Sequence, residues 1–170
     1  MVVLAIVAAL CLAAADANKG WTMEVMSKDF EPAGVIPSQF TCQGEGVSPS
    51  LAWNDPPSDT QSFAITVLDP DVPHRDFFVH WISYDIPASV REIPQGGPLP
   101  HGAKELRNDF DQRGWSGPCP TMGPHDHHYV FTVYALNVPS LGELKRENWL
   151  EAIRAHTLGS ARLEGHYSMH

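Results

Sequence analysis

The amino-acid sequence predicts a mainly β protein, an antiparallel β-sandwich with a helix packed outside it or at one end. Short apolar stretches rich in β-branched residues recur along the chain, separated by many of its 15 prolines and 13 glycines. One stretch stands out with the periodicity of an amphipathic helix. The 170 residues, 43% of them hydrophobic, suffice for one domain with a buried core.

The first half of the chain contains four predicted strands. TMEVMSKDF (22–30) alternates loosely, and SLAW is a short strand within the turn-rich segment 35–57. SFAITVLD (62–69) and FFVHWISYDIP (77–87) are apolar enough to be buried strands. Pro87 ends the second of them, because proline cannot donate a hydrogen bond to a central ladder.

The second half begins with residues 91–115, which are polar and predicted to be irregular. YVFTVYALN (129–137) is a further central strand, and ARLEGHY (161–167) is a plausible last one. Between them, residues 141–159 predict a helix with Leu150, Ile153 and Leu158 on one approximate face.

The helix has sequence signals at both ends. Ser140 and Glu143 have the spacing of a capping box, which favours an early start. Gly159 is a natural stop, since glycine readily adopts the left-handed conformation that follows many helices.

The N-terminus predicts export. Residues 1–17 open with about fifteen nearly continuous apolar residues and end at a small-residue cleavage site, as in a signal peptide. We therefore expect a single domain over 18–170, secreted or periplasmic, with no integral membrane segment after cleavage. The alternative is an uncleaved membrane anchor, although the apolar run is shorter than the ~20 residues that a span needs. Cys42 and Cys119 remain in that domain and favour one disulfide, with two separate thiols as the alternative.

The charge excludes one class of partner. The formal net charge is −9 and no basic stripe is visible, so a large nucleic-acid footprint is not expected. An acidic protein still binds an anion where one pocket concentrates hydrogen-bond donors.

Three polar features lie at the edges of apolar strands. Asp69 and Asp71 flank Pro70, and Pro73 follows, so their turn is stiff. His80 lies inside an apolar strand, where a buried imidazole needs hydrogen-bond partners. The third feature is the loop GPCPTMGPHDHHY (117–129). Taken singly, the first is more typical of a solvated turn, and the second of a satisfied core histidine.

Two other chemistries stay open on these residues. His125, His127 and His128, with Asp126 and Cys119 nearby, offer metal-ligand types, although the spacing is not that of a known zinc motif. A hydrolase would combine Asp and His with Ser48 or Ser116. That alternative lacks the GxSxG nucleophile elbow.

Five segments together resemble the bacterial-type branch of the phosphatidylethanolamine-binding protein family, also called Raf-kinase-inhibitor-like proteins. The resemblance covers essentially the whole mature chain, in order. The segments are FTCQGEGVSPSLAW (40–53), SFAITVLDPDVP (62–73), FVHWISYDIP (78–87), GPCPTMGPHDHHYVFTVYAL (117–136) and AIRAHTLGSARLEGHY (152–167).

The resemblance implies a Greek-key β-sandwich with one or two peripheral helices and a small anion pocket at one end. It further implies a non-enzymatic binding module without a cofactor, for a phosphate-type or phospholipid headgroup, acting in some cases as an inhibitor or modulator of a kinase or protease. The pocket residues carried over are Asp69, Asp71, His80, Gly117, Pro118, Pro120, His127 and Tyr129.

Two positions depart from the family pattern. His128 stands where the family usually has arginine, so a permanent cation and its planar fork are missing. Thr121 stands where a proline is usual. Both departures bear on affinity more than on fold.

The chemistry of the pocket residues matches a phosphate. The imidazoles of His80 and His127 and the Tyr129 hydroxyl can donate hydrogen bonds to it. Asp69 or Asp71 is expected to orient a histidine and to favour its charged form. We therefore expect phosphate binding to tighten as the pH falls toward ~6.

Overall fold

The computed structural model describes residues 22–121 and 125–169. The predicted signal peptide, residues 1–17, lies outside them. The first strands are β1 (Glu24–Met26), β2 (Gly34–Val35), β3 (Leu51–Asn54), β4 (Ser62–Asp69) and β5 (Phe78–Pro87). They are followed by β6 (Glu92–Ile93), β7 (Lys104–Glu105), β8 (His127–Leu136), the helix α1 (Trp149–His156) and β9 (Thr157–Tyr167).

The strands form two sheets. The smaller sheet has the order β1-β3-β6, and the larger has the order β2-β9-β8-β4-β5-β7. Among the residues described, every strand pairing is antiparallel except that of β2 with β9, in which Gly34 lies opposite Gly165. The prediction of a mainly β, antiparallel sandwich with a peripheral helix is confirmed.

The larger sheet is buried on both faces, as alternation along β4 shows. Phe63 and Val67 point into a core shared with the smaller sheet, where Trp53 packs edge-on against Phe63. Ala64 points to the opposite face, which α1 covers with Ile153. Two covered faces explain why the central strands are apolar at nearly every position.

The helix is shorter than predicted. It spans Trp149–His156, and β9 begins at the next residue, so Leu158 belongs to a strand and is 38% exposed. The expected capping box does not form, because the helix begins only at Trp149; the Ser140 hydroxyl donates to the Asp85 carboxylate (2.7 Å) instead. Long-range pairing of β9 with β8 overrides the local helical periodicity.

The segment 91–115 is largely irregular, as predicted, but it contributes two short strands. β6 pairs with β3 and β7 pairs with β5. The first strand is also shorter than the pattern in 22–30 predicts. Within the residues described, no helix is both long and apolar enough to cross a membrane.

The topology brings three strand ends together. Asp69 at the end of β4 pairs with Phe78 at the start of β5. Leu68 pairs with Val130, near the start of β8. Because neighbouring strands run antiparallel, the end of β4 and the starts of β5 and β8 meet at one end of the sandwich.

Candidate functional site

A cavity of about 220 Å³ opens at this end of the sandwich. Five of the eight predicted pocket residues line it: Asp69, His80, Pro120, His127 and Tyr129. Its other lining residues are Val72, Pro73, Phe78, Phe110, Cys119 and Thr121. We call it the His80 cavity.

His127 is oriented by Asp69. The imidazole Nδ1 lies 2.8 Å from the Asp69 carboxylate, and Asp69 is buried with 3% of its surface exposed. A carboxylate accepts, so Nδ1 carries the proton, and Nε2 is the ring nitrogen left for a ligand. The second Asp69 oxygen accepts from the Asp71 backbone N–H (2.8 Å), which fixes the carboxylate itself.

His80 is held in its neutral form. Its Nδ1 lies 2.7 Å from the Ser116 carbonyl oxygen, which can only accept, so Nδ1 is protonated. Burial lowers the pKa of His80, and the bond to Ser116 offsets that effect only in part. The neutral ring therefore offers Nε2 as an acceptor, which differs from the expectation that His80 donates.

Tyr129 contributes a donor without an acceptor. Its side chain is fully buried, and its hydroxyl has no hydrogen-bond partner among the residues described. Burial, and then the charges of Asp69 and Asp71, hold the pKa of the phenol well above its usual range. The hydroxyl therefore keeps its proton, and an unpaired buried donor of this kind is costly unless a ligand or water satisfies it.

Aromatic rings surround His80. Its ring centroid lies 5.2 Å from that of Phe78, 5.5 Å from Phe110 and 5.1 Å from Tyr129. Phe110 is 41% exposed at the cavity mouth, an unusual position for a phenylalanine. The apolar wall keeps water away from the polar atoms and strengthens their bonds to a ligand.

Sequence reasoning missed Phe110 and Asn108. Asn108 is buried, and its amide nitrogen lies within hydrogen-bonding distance of the Ser116 hydroxyl (2.8 Å) and the His80 carbonyl (3.2 Å). Its amide oxygen accepts from the Phe110 N–H (2.9 Å). Asn108 thus holds the loop that supplies the Ser116 carbonyl to His80. Phe110, an aromatic residue within the polar segment 91–115, was the available sequence signal for this part of the site.

Residues 119–121 line one side of the cavity, whereas the preceding Gly117 and Pro118 do not line it. A Cβ on Gly117 would lie 2.2 Å from the Phe40 carbonyl oxygen, so only glycine fits. The Pro118 carbonyl accepts from the Cys42 N–H (3.0 Å). Cys42 and Cys119 form a disulfide with Cα atoms 5.4 Å apart, and both residues are exposed.

Asp71 and His128 form a brace outside the cavity. Asp71 Oδ2 accepts from the His128 backbone N–H (2.7 Å) and from its Nδ1 (2.8 Å). Burial raises the pKa of Asp71, but the two hydrogen bonds from His128 outweigh it, so the pKa lies below its usual range. His128 therefore ties β8 to the Asp-Pro-Asp turn, and the two aspartates each orient one histidine, as expected.

The residues described do not assemble the alternative sites. No group of three His, Cys, Asp or Glu residues within 22–121 and 125–169 could hold a metal ion. His127 and His128 engage different aspartates, and the Cys119 sulfur is taken up in the disulfide. Ser48 and Ser116, the candidate nucleophiles, do not line the His80 cavity.

Comparison with known proteins identifies the same family as the sequence motifs. The family model for phosphatidylethanolamine-binding protein matches residues 26–168. A UPF0098 protein of Aquifex aeolicus is 44% identical over 126 residues, which cover 72% of this chain and 73% of the relative. A UPF0098 protein of Methanothermobacter thermautotrophicus is 37% identical over 151 residues, covering 85% and 98%.

Solved structures agree. The crystal structure of Escherichia coli YbcL, described as a new member of the mammalian PEBP family, has a TM-score of 0.82 at 31% identity, covering 87% of this chain and 99% of that one. A putative homologue from Chlamydia trachomatis gives 0.78 at 33% identity, covering 87% and 98%. The resemblance found in the motifs is confirmed, and the fold is that of a binding module: the chain belongs to the phosphatidylethanolamine-binding protein family, in its bacterial type.

Proposed function

We propose that the His80 cavity binds a phosphate-type headgroup, as the name of the family suggests, and that the protein acts by binding rather than by catalysis. The observation that carries the proposal is the buried Tyr129 hydroxyl, which has no partner among the residues described; Tyr129 lines the cavity together with two oriented histidines. A phosphate oxygen is a suitable acceptor for it.

The donor and acceptor pattern narrows the ligand. Tyr129 offers a donor, and neutral His80 offers the Nε2 acceptor. A phosphate monoester in its singly ionised form supplies both complements, an anionic oxygen and a P–OH. A phosphodiester that carries an ammonium group supplies the same pair. The volume of about 220 Å³ suits a headgroup and excludes long acyl chains.

The test is a binding titration of Tyr129→Phe with O-phosphorylethanolamine. The substitution removes one hydrogen bond to a charged group, which contributes about 1.5–3 kcal/mol, so affinity should fall about 10- to 100-fold. The free energy of unfolding should stay unchanged or rise, because a buried hydroxyl without a partner is removed. Isothermal titration calorimetry and urea denaturation measure the two effects.

Tyr134→Phe is the matched control, since it makes the same change on the same strand. Tyr134 packs on the helix side of the sheet, away from the His80 cavity. The affinity of the Tyr134→Phe variant for O-phosphorylethanolamine should equal that of the wild type. Equal affinity of Tyr129→Phe and wild type would contradict the proposal.

We also propose where the protein acts, which is outside the cytoplasm. We expect residues 1–17 to direct the chain out of the cytoplasm, where the exposed disulfide would persist. N-terminal sequencing of the exported protein checks the cleavage site. A role as an inhibitor of a kinase or protease stays a prediction of the family resemblance.

A further inference from the structure

A second cavity lies on another part of the molecule. It is a cleft of about 400 Å³ and shares no lining residue with the His80 cavity. Two indoles, a carboxylate and two short loop segments form it. Its lining includes Trp81, Trp115, Glu105, Ser48, Gly46 and Gly96. We call it the indole cleft.

The carboxylate of the cleft is oriented. Glu105 on β7 pairs with Ser83 on β5, which places its side chain on the same face as Trp81, two residues earlier. The Trp81 indole N–H donates to Glu105 Oε1 (2.9 Å), and Trp81 is buried with 2% exposure. One oxygen of the carboxylate is thereby fixed against a buried ring.

No cation neutralises this carboxylate within the described part of the chain. The ion pairs found there engage other acidic residues. The Arg113 guanidinium donates to the backbone carbonyl of Glu105 (2.8 Å) and not to its side chain. The negative charge of Glu105 is therefore left for a ligand in the cleft.

Trp115 adds an unpaired donor. Its indole N–H is buried and has no hydrogen-bond partner among the residues described. The ring is fixed by stacking on Phe131, with centroids 5.8 Å apart, and by an edge contact with Trp81 at 6.1 Å. The lining residues of the cleft thus include a carboxylate, two indole rings and one buried indole N–H that has no acceptor among the residues described.

The remaining wall is built of backbone in fixed positions. Gly96 and Gly46 have positive φ values of 56° and 69°, which glycine adopts without strain. The Gly96 N–H donates to the Ser48 carbonyl (2.9 Å), which ties the two loop segments together. A wall that is already ordered loses little conformational entropy when a ligand binds.

We propose that the indole cleft binds a small organic ammonium ion that also carries an oxygen acceptor. Indole faces and a nearby carboxylate attract an ammonium group through cation–π and charge interactions. The ligand oxygen accepts from the Trp115 N–H. This site is independent of the proposed headgroup site, and either proposal can fail without the other.

The experiment is an NMR titration of the folded protein with choline. Choline has a quaternary ammonium and a hydroxyl, and 3,3-dimethylbutan-1-ol has the same shape without the charge. We expect choline to shift the indole N–H signals of Trp81 and Trp115, and the neutral analogue to bind at least tenfold more weakly. Equal binding of the two probes overturns the proposal, and this comparison needs no variant.

Glu105→Gln tests the charge from the side of the protein. Glutamine keeps an oxygen acceptor for the Trp81 N–H and removes the charge. Affinity for choline should fall at least tenfold, while O-phosphorylethanolamine should still perturb the His127 and Tyr129 signals as in the wild type. Unchanged choline affinity in this variant overturns the proposal.

A second variant and a second ligand extend the titration. Trp115→Phe retains a ring and loses the donor, so it assigns the Trp115 signal and should weaken choline binding. Glycerophosphocholine reports the source of the ligand. Tighter binding than choline indicates a lipid headgroup, and weaker binding indicates a free amine. No shift of either indole signal by choline would leave the cleft without the proposed role.

Discussion

At the scale of single residues, the chemistry of the site depends on where protons lie. The carbonyl of Ser116 places a proton on His80 Nδ1, and the carboxylate of Asp69 places one on His127 Nδ1. Both rings therefore have a defined tautomer, with Nε2 left for a ligand. The two histidines differ in their partners, a carbonyl for His80 and a carboxylate for His127, and in how deeply they are buried.

The lowered pKa of His80 makes stability depend on pH. Between that pKa and the ordinary value of ~6.5, the unfolded chain binds a proton that the folded protein does not, so stability falls as the pH falls. His80→Gln removes this contribution. We expect the free energy of unfolding of the wild type to decrease more steeply below pH ~6.5 than that of the variant.

Urea denaturation at several pH values between ~5 and ~7.5 measures this difference. His125→Gln is the control, because His125 is exposed and the substitution leaves His80 in place. Its curve should run parallel to that of the wild type. Parallel curves for His80→Gln and wild type would show that His80 titrates normally in the folded protein.

Residue identity made part of the site predictable. Asp69, His80, His127 and Tyr129 were named from the motifs and line one cavity. Phe110 and Asn108 were not named, because their roles depend on how a loop folds back over β5. A buried amide that serves several backbone groups has no pattern in the sequence that distinguishes it from a surface asparagine.

At the scale of elements, the segment 117–121 is fixed at Gly117, which packs closely against the Phe40 backbone. We expect Gly117→Ala to lower the free energy of unfolding by about 1–3 kcal/mol, because its Cβ would meet backbone that cannot move aside. Affinity for O-phosphorylethanolamine should fall as well, since Pro120 and the Ser116 carbonyl shift with the loop. Thermal denaturation and titration calorimetry measure the two losses.

Gly159→Ala is a comparison in a strand. Its Cβ would lie 3.2 Å from a side-chain atom of Pro57, a closer fit than usual but not a clash with backbone. We expect a smaller loss of stability and no loss of affinity. Equal stability of Gly117→Ala and wild type would show that the loop can rearrange.

Elements were predictable to the extent that local pattern decided them. The central strands have nearly the predicted bounds because both of their faces are buried. The helix was predicted too long, since residues near 158 are compatible with a helix by periodicity and are drawn into β9 by pairing with β8. The two-residue strands β6 and β7 exist through tertiary pairing alone.

At the scale of the whole molecule, the disulfide joins residues 77 positions apart. A cross-link of this span removes conformational freedom from the unfolded chain and stabilises by about 2–4 kcal/mol. We expect the double substitution Cys42→Ser with Cys119→Ser to lose that amount in urea denaturation and to bind O-phosphorylethanolamine more weakly. Reduced wild type should behave like the double variant, and an unchanged denaturation midpoint would contradict the prediction.

The bridge lies at the rim of the His80 cavity, because Cys119 is itself a lining residue. Disulfides form in oxidising compartments, whereas cysteine thiols are kept reduced in the cytoplasm. In the cytoplasm, the newly made chain would therefore have Cys42 and Cys119 as free thiols, and the rim of the His80 cavity would not be cross-linked. If residues 1–17 direct export, as we predict, the bridge would close only after the chain has crossed the membrane, and the proposed headgroup site would be complete only then.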